Sequence, residues 1–448
     1  MLTKLLFIGL AIFLNCKQLL ANPLGNNGML PTTGKFYRQL AELLVDDKFG
    51  VEGNLVISPA CIAYMDLGYL PAVQNEALDQ YHDNYFNMLS NDEIYTALNP
   101  YTFGINSIAP DFSRPEMRAR SALDLGMKIV FDKSWQNSKG AKDYAAVLKN
   151  MLQTEVVFEN LARDNEEVLT RMNNWVSEFT RGKITKILPA IHQDAKMVLV
   201  TALYFRSQWT KEFSTSPDSS YRFESLQNGH VVTQKAKSMY VFEPADDRFD
   251  LFKYDASYGT VMAVRIPFVK EGMSMVIYMP QEATQFGTFL KHWSRHDELL
   301  NDILKKSLRT DSSTRYRLTL EMPKFTIEAP AETIDLVPVL QKYGITNMFD
   351  TMAASFKMSP VSSSTAVRSY YHKAMVAVDE VGAEAAAACS DIASDSLFRP
   401  RVFVQLKLVV NKPFLFQIVG DIRTNEQIEG KMVYFTGQIT DAARAQNA

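Results

Sequence analysis

The chain is poor in cysteine, with only Cys16, Cys61 and Cys389 among 448 residues. That is too few for a disulfide-built scaffold. Histidine is scarce too: His82, His192, His230, His292, His296 and His372 are the whole set. None stands in an H-E-x-x-H motif, and there is no Cys-x-x-C pair or EF-hand loop, so no zinc or calcium site has sequence support. His292 and His296 lie four apart in a polar stretch, where two solvated histidines are the favoured reading. A G-x-S-x-G elbow, a Walker loop and a dinucleotide fingerprint are all missing, so no enzyme class is indicated. No Asn-x-Ser/Thr sequon occurs, and N-glycosylation is not expected. Neither sign of charge dominates, since 47 Lys and Arg face 50 Asp and Glu for a net −3, and nucleic acid is not an expected partner. Beyond the N-terminus no apolar run reaches the roughly 20 residues a membrane span needs.

What is present starts at that N-terminus. Lys4 precedes the apolar run Leu5–Leu14, and Ala21 is a small residue before Asn22. This order predicts a secretory signal over residues 1–21, followed by a Gly-, Asn- and Pro-rich tail over 22–34. With 47% apolar residues, the remainder has the composition of a soluble globular protein large enough to rest on its own core. Cys61, in the apolar context Ile57–Ala63, is expected to be a buried small hydrophobe, and Cys389 to be exposed.

Periodicity suggests a helix over Phe36–Leu44, then a short strand at Asn54–Ile57 running into a helix that Ser58 and Pro59 begin. Asn173–Ile184 reads as a helix stopped by Gly182. Lys196–Phe205 is apolar on both parities, the mark of a strand buried on both faces. Further strands are expected at Thr260–Pro267, Ser274–Met279, Tyr316–Pro323, Tyr370–Val378, Val402–Val410, Phe414–Val419 and Val433–Gln438. Two helices, Thr288–Ser307 and Thr333–Tyr343, interrupt them, the second ending at Gly344. Helices thus dominate the first half and strands the second with no linker between them, which predicts one α+β domain over 35–440 with a short tail at 441–448.

The most informative segment is Gly382-Ala383-Glu384-Ala385-Ala386-Ala387-Ala388, a run that adds little to any core. By propensity it is a short surface helix. The strand expected just before it, and Gly382 itself, argue instead for a mobile extended segment. In a strand Ala383, Ala385 and Ala387 share one face and Glu384 takes the other. Small residues on the buried face could slide between two existing strands, and bulky ones at 383 or 385 should block this. The same parity turns Cys389, Asp391 and Asp395 inward. A buried unpaired carboxylate is costly, so insertion is expected to stall near Asp391 unless a bulge or a basic partner rescues it.

Motifs spread along the chain resemble the serpin family of serine protease inhibitors. They are Asn54 with Ser58-Pro59; Asn173, Trp175-Val176, Thr180 and Gly182-Lys183-Ile184; Ala202–Arg206 with Trp209 and Phe213; Met322–Phe325; Gly344–Phe349; His372–Ala374 with Asp379, Glu380, Gly382 and the alanines; Leu408–Ile418; and Phe435–Gly437. Two departures stand out: Thr201 where the family usually has Asn in the region where the main sheet parts, and Leu67–Ala72 after the second helix. Both bear on how sheet opening is tuned.

The resemblance implies a single domain with a large central sheet, further sheets, about nine helices and a reactive loop over about 380–401. It implies a secreted, monomeric inhibitor with no cofactor, whose partner is a serine protease held in a covalent complex. The implied hinge is Glu380, Gly382, Ala383, Glu384, Ala385, Ala386, Ala387 and Ala388. The implied sheet-opening region is Asn54, Ser58, Thr201, Trp209 and His372. The cut bond falls at Ser396–Leu397, with Phe398, Arg399 and Arg401 as alternatives. Leu397 or Phe398 before the cut suits a chymotrypsin-like protease and Ser396 an elastase-like one. These are preferred over a trypsin-like target, because Pro400 follows Arg399 and Arg401 lies late. A non-inhibitory carrier, reservoir or chaperone is the alternative. Arg114, Arg118 and Arg120 could form a weak polyanion site, though a solvated helix face is the favoured reading. Loose similarity to arthropod members suggests a haemolymph or surface-defence cascade, by association only.

Overall fold

The computed structural model describes residues 53–69, 72–84, 121–152, 154, 156–216, 220–243, 249–257, 259–293, 315–327, 333–342, 344–350, 366–383, 403–424 and 427–446. In chain order, β1 (Leu55–Ile57) leads into α1 (Pro59–Tyr69) and α2 (Glu76–Asn84), then β2 (Ser121–Asp132), α3 (Lys139–Leu152), β3 (Val156–Glu159) and α4 (Asn165–Phe179). Next come β4 (Met197–Gln208), β5 (Ser214–Thr215), β6 (Arg222–Gln227), β7 (His230–Lys235), β8 (Ser238–Glu243), β9 (Asp250–Ala256), β10 (Gly259–Pro267) and β11 (Met273–Pro280). After α5 (Phe286–Trp293) follow β12 (Arg315–Pro323), β13 (Phe325–Ile327), β14 (Ile334–Asp335) and α6 (Val337–Lys342). The remaining strands are β15 (Tyr371–His372), β16 (Val376–Val378), β17 (Gly382–Ala383), β18 (Phe403–Val409), β19 (Phe414–Thr424) and β20 (Gln427–Ile439).

These strands form three large sheets, ordered β13-β16-β17-β4-β2-β3, β1-β20-β19-β11-β10-β9 and β18-β12-β8-β5, and two small pairs, β14-β15 and β6-β7. The architecture is the expected α+β one. β4 carries it, because its two faces meet two different cores. Val198, Val200 and Ala202 pack with Val168, Met172 and Val176 of α4. Leu199, Leu203 and Phe205 join the main core together with Ile62 and Met65 of α1. Full burial of each such side chain stabilises the fold by about 1.5–3 kcal/mol, and a one-residue slip of β4 would send each set to the core packed around the other. The approach to β4 is fixed by Asn173, whose Oδ1 accepts from the Ile187 and Leu188 amides at 2.9 Å each while Nδ2 donates to the Leu188 carbonyl.

Several expectations need correction. The helix read over Asn173–Ile184 begins at Asn165 and ends at Phe179, with Gly182 beyond it at φ 81°. The stretch Thr333–Tyr343 is helical only at Val337–Lys342, because Ile334–Asp335 pairs as a strand with Tyr371–His372. Tyr370–Val378 is two short strands in different sheets, β15 on β14 and β16 on β13. A strand of 12 residues, β2, also stands in the first half, where no strand was expected between Ile57 and Lys196. Six α-helices lie among the described residues. The Phe36–Leu44 helix, the part of Thr288–Ser307 beyond Trp293, and Arg114, Arg118 and Arg120 lie outside them.

Candidate functional site

The alanine-rich segment begins inside a sheet. Gly382 and Ala383 pair antiparallel with Gln208 and Ser207 of β4, and Ala383 also pairs with Val378 of β16. This two-residue strand is the wedge between β4 and β16, which are not neighbours anywhere else in the described sheet. Ala383 is 2% exposed. A Cβ on Gly382 would fall 2.1 Å from the Ser207 carbonyl oxygen and 2.6 Å from the Gln208 Cα. Only glycine permits that approach of two backbones.

The turn before the wedge is held from several sides. Asp379 Oδ1 accepts from the Val381 and Gly382 amides at 2.9 and 3.1 Å, an Asx-type turn. The amides of Trp209 and Phe213 donate to the Val381 and Glu380 carbonyls at 2.8 Å. Trp209 Nε1 donates to the Asp379 carbonyl at 2.9 Å, and its ring stacks on Phe268 at 4.5 Å. Glu380 Oε1 accepts from Lys324 Nζ at 2.8 Å and Thr215 Oγ1 at 2.6 Å. Burial pushes the Glu380 carboxyl up, but the bonds from Lys324 and Thr215 outweigh it and hold the group below its ordinary value.

Below the wedge, a cleft between β4 and the strand leading to β16 holds two separate pockets. Its upper part is bounded by Leu203, Phe205, Met375, Val376 and Ala383, with Phe435 beside them. Its lower part lies among Trp135, Ile191, Met197, Leu199, Val367 and Tyr371. Between the two sits a buried polar group on α1. His372, 1% exposed, accepts at Nε2 from the Ser58 amide at 3.0 Å. Its ring is therefore neutral, and burial pushes its pKa down to about 4. Ser58 Oγ donates to the Tyr434 carbonyl at 2.8 Å. Thr201 Oγ1 lies 3.1 Å from Cys61 Sγ and donates to the Cys61 carbonyl at 3.2 Å. Burial raises the Cys61 thiol to about 12, with the Thr201 bond acting against it. One turn further along α1, the Tyr370 hydroxyl donates to the fully buried Asp66.

Of the residues expected at the sheet-opening region, Ser58, Thr201 and His372 meet around this cleft, and Trp209 sits at its head. Asn54 does not join them. Its Oδ1 accepts from the Thr440 and Asp441 amides at 3.0 Å and its Nδ2 donates to the Asp441 carbonyl at 2.7 Å. Of the expected hinge, Glu380, Gly382 and Ala383 are described. Glu384, Ala385, Ala386, Ala387 and Ala388, together with Ser396, Leu397, Phe398, Arg399 and Arg401, lie outside the described residues. Sequence reasoning missed the charge group at the foot of the cleft, where Asp194 meets Arg368 Nη2 at 3.0 Å and His192 Nδ1 at 2.6 Å. Burial raises the Asp194 carboxyl, but Arg368 and His192 bring it below its ordinary value. Only a spacing across 174 residues joins Asp194 to Arg368, and no local pattern carries that.

The profile of the family described as Serpin (serine protease inhibitor) matches residues 32–442. Human serpin B8 is 27% identical over 278 residues, covering 62% of this chain and 68% of the relative. Bovine leukocyte elastase inhibitor is 26% identical over 319 residues, covering 70% and 78%. Among solved structures, thyroxine-binding globulin in complex with thyroxine is similar with a TM-score of 0.68 at 17% identity, covering 92% of this chain and 98% of that one. Serpin48 of the insect Tenebrio molitor is similar with a TM-score of 0.64 at 18% identity, covering 92% and 97%. At those identities the structural likeness is one of fold.

Proposed function

Because the chain belongs to the serpin (serine protease inhibitor) family, we propose that it inhibits a serine protease by being cut in its loop and inserting that loop into the six-stranded sheet. The protease's serine attacks the carbonyl carbon of the cut bond, the peptide C–N bond breaks, and the acyl-enzyme forms. The released loop then extends β17 down the cleft and carries the protease with it. Displacement of the triad and oxyanion hole leaves the acyl bond unhydrolysed. Strand addition of this kind gains main-chain hydrogen bonds, and serpin loop insertion is itself a recognised example.

The observation that supports this reading is the wedge. A strand of two small residues already separates β4 from β16, at the head of a cleft, and the sequence continues with the small Ala385 and Ala387 on the same parity. In this reading Ser396–Leu397 is the cut bond, with Phe398, Arg399 and Arg401 as the alternatives, and a chymotrypsin- or elastase-like target is favoured. Residues 1–21 are the secretory signal and 22–34 the tail; the family domain spans 35–440. The second reading, a non-inhibitory carrier, draws on the fold likeness to thyroxine-binding globulin and on Thr201 and Asp391. Incubation with chymotrypsin, elastase and trypsin separates the two. An SDS-stable complex is expected; loop cleavage by all three without any complex would sink the inhibitory reading.

A further inference from the structure

The register of the wedge fixes where each later residue goes if the strand is extended. On the β4 side the ladder pairs Gly382 with Gln208 and Ala383 with Ser207. Continued without a bulge, it brings Cys389 opposite Thr201. On the other side Ala383 pairs with Val378, and the same continuation brings Cys389 opposite His372. Residues directly opposite in an antiparallel pair point to the same face. Both neighbours point toward α1. Thr201 reaches Cys61, and His372 reaches the Ser58 amide. The parity is consistent along both strands, since Leu199, Leu203 and Phe205 on one and Ala374, Val376 and Val378 on the other all face the main core. The two ladders thus deliver Cys389 to the same spot independently, over a helix turn whose thiol already contacts Thr201.

We propose that, on the insertion reading above, Cys389 is seated between Thr201 and His372 and forms a disulfide with Cys61 that holds the strand in place. Position 389 is reached before Asp391, so the bond can form even where insertion halts at that acid. The oxidant is a low-molecular-weight disulfide. The Cys389 thiolate attacks it, forms a mixed disulfide and releases one small thiol. The Cys61 thiolate then attacks the Cys389 sulfur and expels the second. Two protein thiols are oxidised, one small disulfide is reduced to two thiols, and two protons are transferred from protein to small-molecule sulfur. Before insertion Cys61 is buried and its thiol is held protonated, so it resists oxidation until Cys389 arrives as an intramolecular partner. The Thr201 hydroxyl oxygen, 3.1 Å from Cys61 Sγ, lies beside the thiol that must lose its proton.

The test cuts the full-length protein in the loop beyond Cys389 with chymotrypsin in oxidised glutathione, then measures heat stability and maps linked peptides by mass spectrometry. The expected result is a gain in heat stability together with a Cys61–Cys389 linked peptide, absent from the uncut protein. The double variant Cys389→Ser, Ser390→Cys moves the thiol to the opposite face, and should gain heat stability without any link to Cys61. A stabilised wild-type product that keeps both thiols free, or a double variant that links as readily, overturns the register argument while leaving insertion intact. A cut protein with no gain in heat stability overturns insertion and this proposal together.

Discussion

Gly382 and His372 show how much one residue's surroundings can decide. A methyl group on Gly382 meets backbone rather than a movable side chain, so Gly382→Ala must push the wedge off β4. We expect a cost of about 1–3 kcal/mol in urea unfolding and a smaller fraction of covalent complex at equal protease. His372 makes the opposite kind of prediction, one about pH. Its ring titrates near 6.5 when unfolded but at about 4 when native, so its contribution is complete above pH 6.5 and drains away as pH falls toward 4. The loss is about 3 kcal/mol. Urea midpoints at pH 7 and pH 4.5 should show a drop that His372→Gln reduces; an equal drop in the variant would assign it to other groups. Gly382 was legible because glycine before an alanine run is rare in a strand. The neutrality of His372 was not, because it depends on Ser58, 314 positions away.

Among the elements, the turn Asp379–Gly382 is the one whose parts agree most closely. Its backbone carbonyls take the amides of Trp209 and Phe213 while Glu380 takes Lys324 and Thr215. Removing the charge should loosen the whole turn. Glu380→Ala is expected to destabilise by about 1–2 kcal/mol, since the pair is partly buried and charge-assisted. Hydrogen exchange at the Trp209 and Phe213 amides should accelerate; unchanged exchange there would mean that the turn stands without Glu380. The starts of β10, β11, β12, β18 and β19 were readable to within one residue because an apolar run opens each. But β19 runs on to Thr424 and β20 begins at Gln427, where the chain turns polar. β2 was readable too and was overlooked: Leu123, Leu125, Met127, Ile129 and Phe131 alternate strictly, though Gly126 interrupts the impression of a strand. That glycine leaves room for the Phe179 ring of α4. The β6–β7 hairpin carried an equally plain sign in Asn228-Gly229, both at positive φ, the standard demand of a two-residue turn. The break in Tyr370–Val378 had no such sign, since only the partner strands β13 and β14 divide it.

For the whole molecule, family membership was legible because its motifs are spread along the chain in order, whereas the cleft exists only once β4 and β16 are apart. Asp391 bears on how the complete molecule behaves after cleavage. The extended register places it opposite Leu199 and Tyr370, and Tyr370 already donates to buried Asp66. A second acid beside the first is unfavourable, so Asp391→Ala should gain more heat stability on loop cleavage than the natural chain does. Equal gains would remove the stall. The cleft also has two unlike ends. Its head is a matter of backbone fit, but Asp194, Arg368 and His192 at its foot are half exposed, where charges are screened within about 8 Å at physiological salt. Ionic strength should therefore leave the first residues of an incoming strand indifferent and ease only the last. The rate of reaching full heat stability would rise with salt while the rate of complex formation stayed level, and a common salt dependence for both would show that the foot of the sheet gates nothing. Seen this way, the order of events in a single stroke is written into the contrast between a glycine and an ion pair.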